Sequence, residues 1–412
     1  MSSTTNKVPS TPRSLRPGDH FGRYQLLDRV GTGGMAEVFR AIAQGVQGFE
    51  REFVIKRIRP DKSDSPNFVQ MFCEEARISA LLNHPNIAQV YDFGQADGAY
   101  FLVMEHLVGA DLSNVMRTLR ARDDAMPPSV AVYVAREVAR ALHYAHTLVL
   151  PDGTPGGVVH RDVTPSNIML LKAGGVKILD FGIAKAAAAA RPSDGGRPRL
   201  AGKLSYLSPE LVRGLAVDHR SDIFSLGIVL WEMIAGQRLF TGTTDGETLQ
   251  NVLMRPIAEP SRRRDGVPAV LDAMVARALE REPASRYESA EEFANELDRF
   301  LVEMPVADQA IPNLLAELAS VPPSKPADAI GDAGATFTAT GSPTEMRSRP
   351  GTGANRIYRT IPPPKPRRVP LPTLVGIFFM VVAVVVTVGR VVIRHQIVGS
   401  QSSSAKSVST SK

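Results

Sequence analysis

The segment 158–182 restricts what this chain can fold into more than any other stretch. It reads VVHRDVTPSNIML followed by LKAGGVKILDFG, so that a carboxylate, Asp162, stands five residues before the amide Asn167, and a second carboxylate, Asp180, stands thirteen residues after that amide. A turn between Asp162 and Asn167 directs both side chains into one cleft, and the apolar pattern over 176–179 predicts a short strand that ends at Asp180. Because Mg²⁺ prefers oxygen ligands, this spacing indicates a site for a metal ion and phosphate groups.

Composition bounds the size and class of the molecule. With 412 residues, 43% of them hydrophobic and 22% charged, the chain can bury one large core or two medium ones, which excludes a wholly disordered protein. The 48 basic and 42 acidic residues give a net charge of +6, but the excess gathers near a C-terminal apolar segment and at Arg262–Arg264, so we expect no nucleic-acid partner. The single cysteine, Cys73, excludes an internal disulfide, fits a reducing compartment and lies in a helical pattern typical of core packing.

Both ends of the chain are predicted to lie outside the folded domain. Residues 1–20 are polar, so we expect a disordered tail and no signal peptide. Residues 302–370 are rich in Pro, Ala and Ser and predict a semi-extended juxtamembrane linker with a short helix at 311–318. Residues 371–389 contain no charged residue, and the segment is close to the roughly 20 residues that a membrane-spanning helix needs. The pattern predicts one transmembrane helix, followed by a short extracytoplasmic tail at 390–412. The alternative of a buried core helix is disfavoured by the Pro-rich approach and the basic flanks.

Three further patterns accompany the first segment. In YQLLDRVGTGGMAEVFRAI, which begins at Tyr24, a glycine cluster between two strand-like runs predicts a hairpin tip whose N–H groups pass close over phosphates; an ordinary turn is the alternative. In EFVIKRI, Lys56 lies within a strand pattern, where a lysine is more often a solvated edge residue. Glu74 and Glu75 follow on adjacent faces of a predicted helix, and either is able to reach Lys56.

The second half of the folded part is predicted to be mainly helical. The pattern that starts at Pro127 repeats apolar residues at spacings of three and four, and the segments 268–282 and 289–304 are amphipathic. The segment 221–236, SDIFSLGIVLWEMIAG, is apolar nearly all round and predicts a central buried helix. Residues 185–202 show no apolar period and predict a surface loop.

Taken together, the segment 24–301 resembles the Hanks-type, or eukaryotic-like, serine/threonine protein kinases, and most closely the membrane-anchored bacterial ones. HRD and DFG are common tripeptides, but HRDxxxxN followed by DFG is a kinase signature, and the glycine loop, the strand lysine, the SPE motif ending at Glu210 and its expected ion-pair partner Arg286 agree with it in order and spacing. The resemblance implies an α+β fold with two lobes over 21–301, a small β-rich N-lobe at about 21–107 and a larger helical C-lobe at about 108–301.

The resemblance also implies a role for each matching residue. Lys56 would hold the α and β phosphates and pair with Glu75. Asp162 would be the catalytic base, and Asn167 and Asp180 the magnesium ligands. The implied cofactors are ATP and Mg²⁺, with Mn²⁺ as an alternative metal. The other implied nucleotide contacts comprise the glycine loop and its flanks, the gatekeeper, two adenine-binding backbones and a ribose contact: Val30, Gly31, Gly33, Gly34, Val38, Met104, Glu105, Leu107 and Asp111.

Two departures from the family pattern concern side chains that usually meet beside the catalytic aspartate. The family has a lysine two residues after that aspartate, where this chain has Thr164, and a threonine after the glycine before the SPE motif, where this chain has Lys203. We interpret the pair as an exchange, in which Lys203 brings its ammonium to the γ-phosphate from the opposite wall and Thr164 supplies the hydroxyl. The alternative is that Lys203 is a solvent-facing loop residue. The resemblance further implies that Asp222 braces the catalytic loop.

The implied function is transfer of the γ-phosphoryl group of Mg-ATP to serine and threonine hydroxyls of proteins in bacterial signalling. This is a non-specific serine/threonine protein kinase activity, with autophosphorylation through self-association. A catalytically impaired pseudokinase that acts as a membrane scaffold is the alternative, kept open by Thr164; a small-molecule kinase is disfavoured by the SPE motif and Arg286. Because basic residues are more numerous before 371–389 than after it, we expect a single-pass inner-membrane protein with a cytoplasmic kinase domain.

Regulation is expected at the loop 183–201, in which Ser193 is the only residue with a hydroxyl group. Arg161 in this family usually pairs with a phosphorylated residue of the loop. Either Ser193 is phosphorylated or the loop is ordered by other means, and the alanine run favours the second interpretation. The three threonines within 336–340 are candidates for autophosphorylation, although a plain spacer fits them better.

Overall fold

The computed structural model describes residues 16–320 except for 34–35, 46–47, 60–61, 64, 97, 151 and 182–202. These residues form a sheet-rich N-terminal lobe and a helical C-terminal lobe, which confirms the predicted α+β class. The strands are β1 (His20–Phe21), β2 (Tyr24–Thr32), β3 (Ala36–Gln44), β4 (Glu50–Ile58), β5 (Val90–Ala96), β6 (Ala99–Glu105), β7 (Gly109–Asp111), β8 (Ile168–Leu171) and β9 (Val176–Ile178). The helices are α1 (Pro66–Leu81), α2 (Leu112–Ala121), α3 (Pro128–His146), α4 (Pro209–Val212), α5 (Arg220–Ala235), α6 (Asp245–Met254), α7 (Val270–Ala278), α8 (Ala290–Glu303) and α9 (Ala310–Ser320).

The N-terminal lobe is a six-stranded antiparallel sheet in the order β1-β2-β3-β4-β6-β5, with α1 on one face. Side chains alternate between the two faces of a strand. Ile55 of β4 therefore packs into the aromatic cluster of one face, while Ile58 packs against Phe72 of α1 on the other. Lys56 lies two residues before Ile58 and shares its face, so the lysine is carried by a central strand and directed towards α1.

The C-terminal lobe is built around α5. Every residue of this helix from Ser221 to Ala235 is buried, which confirms the central helix predicted from its continuous apolar sequence. The helix ends at Gly236, whose φ of 68° is the left-handed conformation that glycine adopts without strain. α3, α7 and α8 pack around α5, and the small sheet β7-β8-β9 lies against α3. This rigid base carries the loops that precede β8 and follow β9.

The packed structure continues beyond residue 301. α9 lies against α2 and β8, with Ile311 and Leu315 buried in the main core. Arg122, the residue after α2, forms an ion pair with Glu317 at 3.6 Å and donates a hydrogen bond to the Leu318 carbonyl at 3.3 Å. The short helix expected at 311–318 is therefore docked on the domain, and the first part of the predicted linker belongs to the C-terminal lobe.

Truncating the Ile311 side chain should destabilise the domain. Ile311 is 2% exposed, and Ile→Ala changes in cores cost about 2–5 kcal/mol. We expect the lower end of that range for Ile311→Ala, because only Ile311 and Leu315 of α9 are buried in the core and the helix is able to shift towards the vacated space. Thermal unfolding measures the effect, with Asn313→Ala on the exposed side of the same helix as the control. A melting temperature equal to that of the control variant would show that α9 contributes nothing to stability.

Several predicted segments lie outside the described residues: most of the tail 1–20, the linker beyond 320, the transmembrane segment 371–389, the tail 390–412, Ser193 and the threonines within 336–340. Within the part of the chain that the structure describes, no helix combines the length and the apolar character that crossing a membrane requires.

Candidate active site

A cavity of about 240 Å³ lies between the two lobes. Val30 and Val54 of the sheet line it on one side, and Met169 and Leu179 line it on the other. The connection between the lobes, Glu105–Gly109, which we call the hinge, closes it together with Met104. Of the predicted nucleotide contacts, Val30, Met104, Glu105, Leu107 and Asp180 all line this cavity. Charged side chains, among them Asp28, Glu52 and Lys172, also line the cavity. The apolar side chains on the two facing walls suit a planar base such as adenine.

The glycine-rich segment forms the predicted hairpin between β2 and β3. Gly31 pairs with Val38 across the hairpin, and the Gly33 N–H donates to the Ala36 carbonyl at 2.8 Å. Gly34 lies outside the described residues. Because Gly33 has no Cβ, its backbone is able to approach a ligand closely.

Lys56 is held between two carboxylates. Its Nζ lies 2.6 Å from Glu75 Oε1 and 2.9 Å from Asp180 Oδ2, and the side chain is 13% exposed. Burial alone would lower the pKa of Lys56, but the charges of Asp180 and Glu75 raise it overall, so the ammonium stays protonated at neutral pH. Glu74 instead accepts a hydrogen bond from Gln70 at 2.8 Å. The structure thus pairs Lys56 with Glu75 and joins it to Asp180.

Asp162, Asn167 and Lys203 meet on the other side of the cleft. Asn167 Nδ2 donates to Asp162 Oδ2 at 2.7 Å and to the Asp162 carbonyl at 2.8 Å. Lys203 Nζ lies 3.0 Å from Asp162 Oδ2, although 41 residues separate them. Asp162 is 7% exposed and Lys203 has partners here, so Lys203 is not a solvent-facing loop residue. Thr164 is also buried, and its hydroxyl is hydrogen-bonded to Ser166 Oγ at 3.0 Å.

Asn167 and Asp180 provide a donor set that fits a magnesium ion. Both amide hydrogens of Asn167 point at Asp162, which leaves the amide oxygen for a ligand. Asp180 is one-third exposed and lines the cavity, so a cation in the cavity is able to reach its carboxylate beside Lys56. Hard cations such as Mg²⁺ take a few protein oxygens of this kind together with phosphate oxygens.

A buried carboxylate fixes the backbone of the catalytic loop. Asp222 accepts hydrogen bonds from the backbone N–H groups of His160 at 2.7 Å and Arg161 at 2.8 Å, and from the His146 ring at 2.7 Å. Burial opposes ionisation of Asp222, but the hydrogen bond and charge of His146 lower its pKa overall. Arg161 has a φ of 61°, a strained conformation for a non-glycine residue. Asp222 therefore stabilises the turn that presents Asp162.

The sequence interpretation missed two histidines at this brace. His146, the last residue of α3, supports Asp222 from the far side. His160 contacts the Leu179 carbonyl through Nε2 at 3.0 Å and packs against Phe181, so it links the loop of Asp162 to the loop of Asp180. The signal available beforehand was only the position of His160 within the HRD motif.

Two other predicted residues have structural partners. Arg286 forms two hydrogen bonds of 2.8 Å to the carboxylate of Glu210, and both side chains are almost fully buried. Asp111 caps α2 by accepting from the Asn114 N–H at 2.9 Å, and burial raises its pKa. The carboxylate of Asp111, expected to contact a ribose, is thus engaged with the first turn of α2.

Comparisons with known proteins agree with this geometry. A family model described as protein kinase domain matches residues 24–297. The chain is 40% identical over 313 residues to the tyrosine-protein kinase MasK of Myxococcus xanthus (strain DK1622), covering 76% of this chain and 48% of that protein. It is 38% identical over 282 residues to the serine/threonine-protein kinase PknB of Mycobacterium leprae (strain TN), covering 67% of this chain and 43% of that protein.

Solved structures give the same result. The chain resembles the kinase domain of PknI from Mycobacterium tuberculosis with a TM-score of 0.52 and 28% identity, covering 70% of this chain and 99% of that one. The present chain spans less than half the length of MasK and PknB.

The family match covers both lobes and all the residues gathered at the cleft. The four residues whose loss would indicate a pseudokinase are all present: Lys56, Asp162, Asn167 and Asp180. Lys56 contacts Asp180, which lines the cavity, and Asn167 contacts Asp162. The Leu179 N–H donates to the Asn167 carbonyl at 2.8 Å, which joins the segment of Asp180 to that of Asn167. The chain therefore belongs to the protein kinase family.

Proposed function

We propose that the chain transfers the γ-phosphoryl group of Mg-ATP to serine and threonine hydroxyls of proteins. The observation that carries the proposal is the ammonium of Lys56, held by Glu75 and Asp180 at 2.6 and 2.9 Å beside the cavity between the lobes. The fixed ammonium of Lys56, next to the carboxylate proposed to bind a metal, is suited to bind the polyphosphate of a nucleotide. The cavity is suited to bind the base of that nucleotide.

Each residue of the cleft has its own role in phosphoryl transfer. The hinge and the walls of the cavity bind the base, and Lys56 positions the phosphates. When bound at Asn167 and Asp180, Mg²⁺ would neutralise phosphate charge. Asp162 takes the proton of the acceptor hydroxyl, and Asn167 fixes the carboxylate in place through its bond to Oδ2. Positioning and charge stabilisation supply most of the rate enhancement in such reactions.

Lys203 provides the cation that Thr164 does not. With its Nζ 3.0 Å from Asp162 Oδ2, Lys203 stands beside the base, where an ammonium can stabilise the charge that develops on the transferred phosphoryl group. The hydroxyl of Thr164 bonds to Ser166, so its part in the exchange is to support the local turn at Pro165–Asn167.

Replacing Lys203 by Ala tests the exchange. We expect kcat to fall at least tenfold, because loss of one charge-stabilising contact costs about 1.4 kcal/mol or more in the transition state. Steady-state kinetics at saturating ATP measures the effect, and Lys62→Ala, in the connection between β4 and α1, is the matched control. A kcat within twofold of wild type would eliminate the proposed role of Lys203.

The central experiment is incubation of the purified protein with γ-labelled ATP, Mg²⁺ and a generic protein substrate. Asp162→Asn is the inactive control. Label in the substrate supports the proposal, and hydrolysis of the labelled product into phosphoamino acids identifies the acceptor. Label that depends on neither Asp162 nor added protein would refute it.

A tyrosine acceptor is the second candidate. One specific observation favours it, because MasK, at 40% identity, is named a tyrosine-protein kinase. PknB, at 38% identity, is named a serine/threonine-protein kinase, which favours the first candidate. Phosphotyrosine as the main product in the experiment above would decide for the second candidate.

The sequence also supports a membrane-anchored form of this kinase. The apolar segment 371–389 would form a single inner-membrane helix, with the kinase domain in the cytoplasm. Lateral association in the membrane would favour autophosphorylation between copies, with Ser193 and the threonines within 336–340 as candidate acceptors. Membrane fractionation of the full chain and of a variant lacking 371–389 tests the anchor, and equal recovery of both in the soluble fraction would reject it.

A further inference from the structure

A cluster of polar contacts joins the hinge to the strand that leads to Asp180. Lys177, the middle residue of β9, donates from Nζ to Glu105 Oε1 at 2.7 Å and to the Ile87 carbonyl at 3.1 Å. The Gln89 N–H donates to the same Glu105 oxygen at 2.7 Å, and the Glu105 N–H donates to the Gln89 carbonyl at 3.0 Å. We call these four residues, Ile87, Gln89, Glu105 and Lys177, the hinge tie.

Further hydrogen bonds around the hinge tie join the segment after α1 to β9. The Ala88 N–H donates to the Ile178 carbonyl at 2.9 Å, and the Ile178 N–H donates to the Asn86 carbonyl at 2.8 Å. The Asn86 side chain donates to the Val176 carbonyl at 2.9 Å. The connection after α1, the hinge and β9 therefore form one hydrogen-bonded unit, although they are distant in sequence.

This unit bears directly on the nucleotide cavity. Ala88, Glu105 and Asp180 all line the cavity, and Lys177 lies in the strand that ends two residues before Asp180. Lys177 and Glu105 are 16% and 18% exposed, so their charges are only partly screened by solvent. Without the ammonium, Glu105 would keep an uncompensated negative charge at the wall of a site that must accept an anionic nucleotide.

We propose that Lys177 is a positioning residue for the nucleotide. It neutralises Glu105 and fixes the hinge relative to the strand of Asp180, so that the base site and the metal site keep their spacing. The inference rests on ATP being the nucleotide of the proposed function. It assigns a role in binding, distinct from the transition-state role of Lys203, and therefore predicts a different kinetic signature.

The test compares Lys177→Met with wild type in the full chain. We expect the KM for ATP to rise about tenfold, because one charge-assisted hydrogen bond is lost. The kcat should stay within about twofold of the wild-type value. Lys177→Arg should keep most of the affinity. Adding Glu105→Gln to Lys177→Met removes the uncompensated carboxylate and should restore much of the loss. Lys62→Met, whose ammonium stacks over Phe68 at 5.3 Å, is the matched control and should leave KM unchanged.

A second measurement needs no ATP. Amide hydrogen exchange in the nucleotide-free protein should be faster over 86–89 and 104–107 in Lys177→Met than in wild type. An unchanged KM, an increase of kcat, or unchanged exchange over these segments would each overturn the proposal. If wild type shows no ATP turnover, the proposed function fails, while the exchange measurement still decides whether Lys177 holds the hinge.

Discussion

Replacement of Asp162 by Asn should lower kcat for phosphoryl transfer by about 10²–10⁴-fold, the usual contribution of a positioned general base. The amide keeps the shape of the carboxylate but cannot take up the proton of the acceptor hydroxyl. It also loses the charge that holds Lys203 at 3.0 Å, so a positioned cation is lost with the base. Nucleotide binding should persist, since Lys56, Glu75 and the cavity are untouched.

The measurement is single-turnover transfer of labelled phosphate under saturating ATP, with circular dichroism to check that the variant is folded. Asp152→Asn makes the same chemical change at an exposed loop residue whose carboxylate contacts only Thr154 among the described side chains, and should keep full activity. Transfer by Asp162→Asn at more than a tenth of the wild-type rate would mean that another group accepts the proton.

Replacement of Arg286 by Met should reduce the free energy of unfolding by about 3–5 kcal/mol, the range for breaking a buried ion pair from one side. The guanidinium is 0% exposed and holds the Glu210 carboxylate with two hydrogen bonds of 2.8 Å. It also donates to the carbonyls of Glu280 at 2.7 Å and Arg220 at 2.9 Å. Burial opposes ionisation of Glu210, and the bonds from Arg286 and Ser221 keep its pKa low overall.

Chemical denaturation of the variant and of Arg299→Met, at an exposed position on α8, separates this effect from a general loss of charge. Glu210→Gln in the Arg286→Met background should recover part of the loss, because a neutral amide is less costly to leave without a cation. A reduction below 1 kcal/mol for Arg286→Met would show that the pair contributes little beyond the packing of its side chains.

The choice between Glu74 and Glu75 as the partner of Lys56 shows what the helical pattern of the sequence can predict. On α1 the buried positions are Phe72, Glu75, Ala76 and Ser79, a stripe at spacings of three and four. Glu75 lies in that stripe and Glu74 does not, so the helical period alone favours Glu75 once Phe72 is assigned to the core. The position of Lys56 is harder to predict. Strand alternation indicates which face of the sheet its side chain is on, but not whether its strand is central or at an edge. Only the sheet order, with β4 between β3 and β6, shows that the strand is central.

Long-range contacts between polar residues could not be predicted from pattern. Lys177 and Glu105 are 72 residues apart, and each looks like an ordinary charged residue at the end or middle of a strand. The contact between His146 and Asp222, which are 76 residues apart, could not be predicted from pattern either. α9 was recognised only as a short helix, since its apolar positions at Ile311, Leu315 and Leu318 are too few to indicate which surface they cover.

The ion pair between Lys56 and Asp180 has a consequence for how ligands enter the cleft. At 2.9 Å the lysine compensates the charge of the carboxylate that must coordinate a metal, and the carboxylate compensates the lysine that must meet a phosphate. A free divalent ion has to compete with the ammonium for Asp180, and a metal-free nucleotide has to compete with the carboxylate for Lys56. Arriving together, each ligand releases the partner that the other requires, so metal and nucleotide should show positive thermodynamic synergy, reciprocal in size.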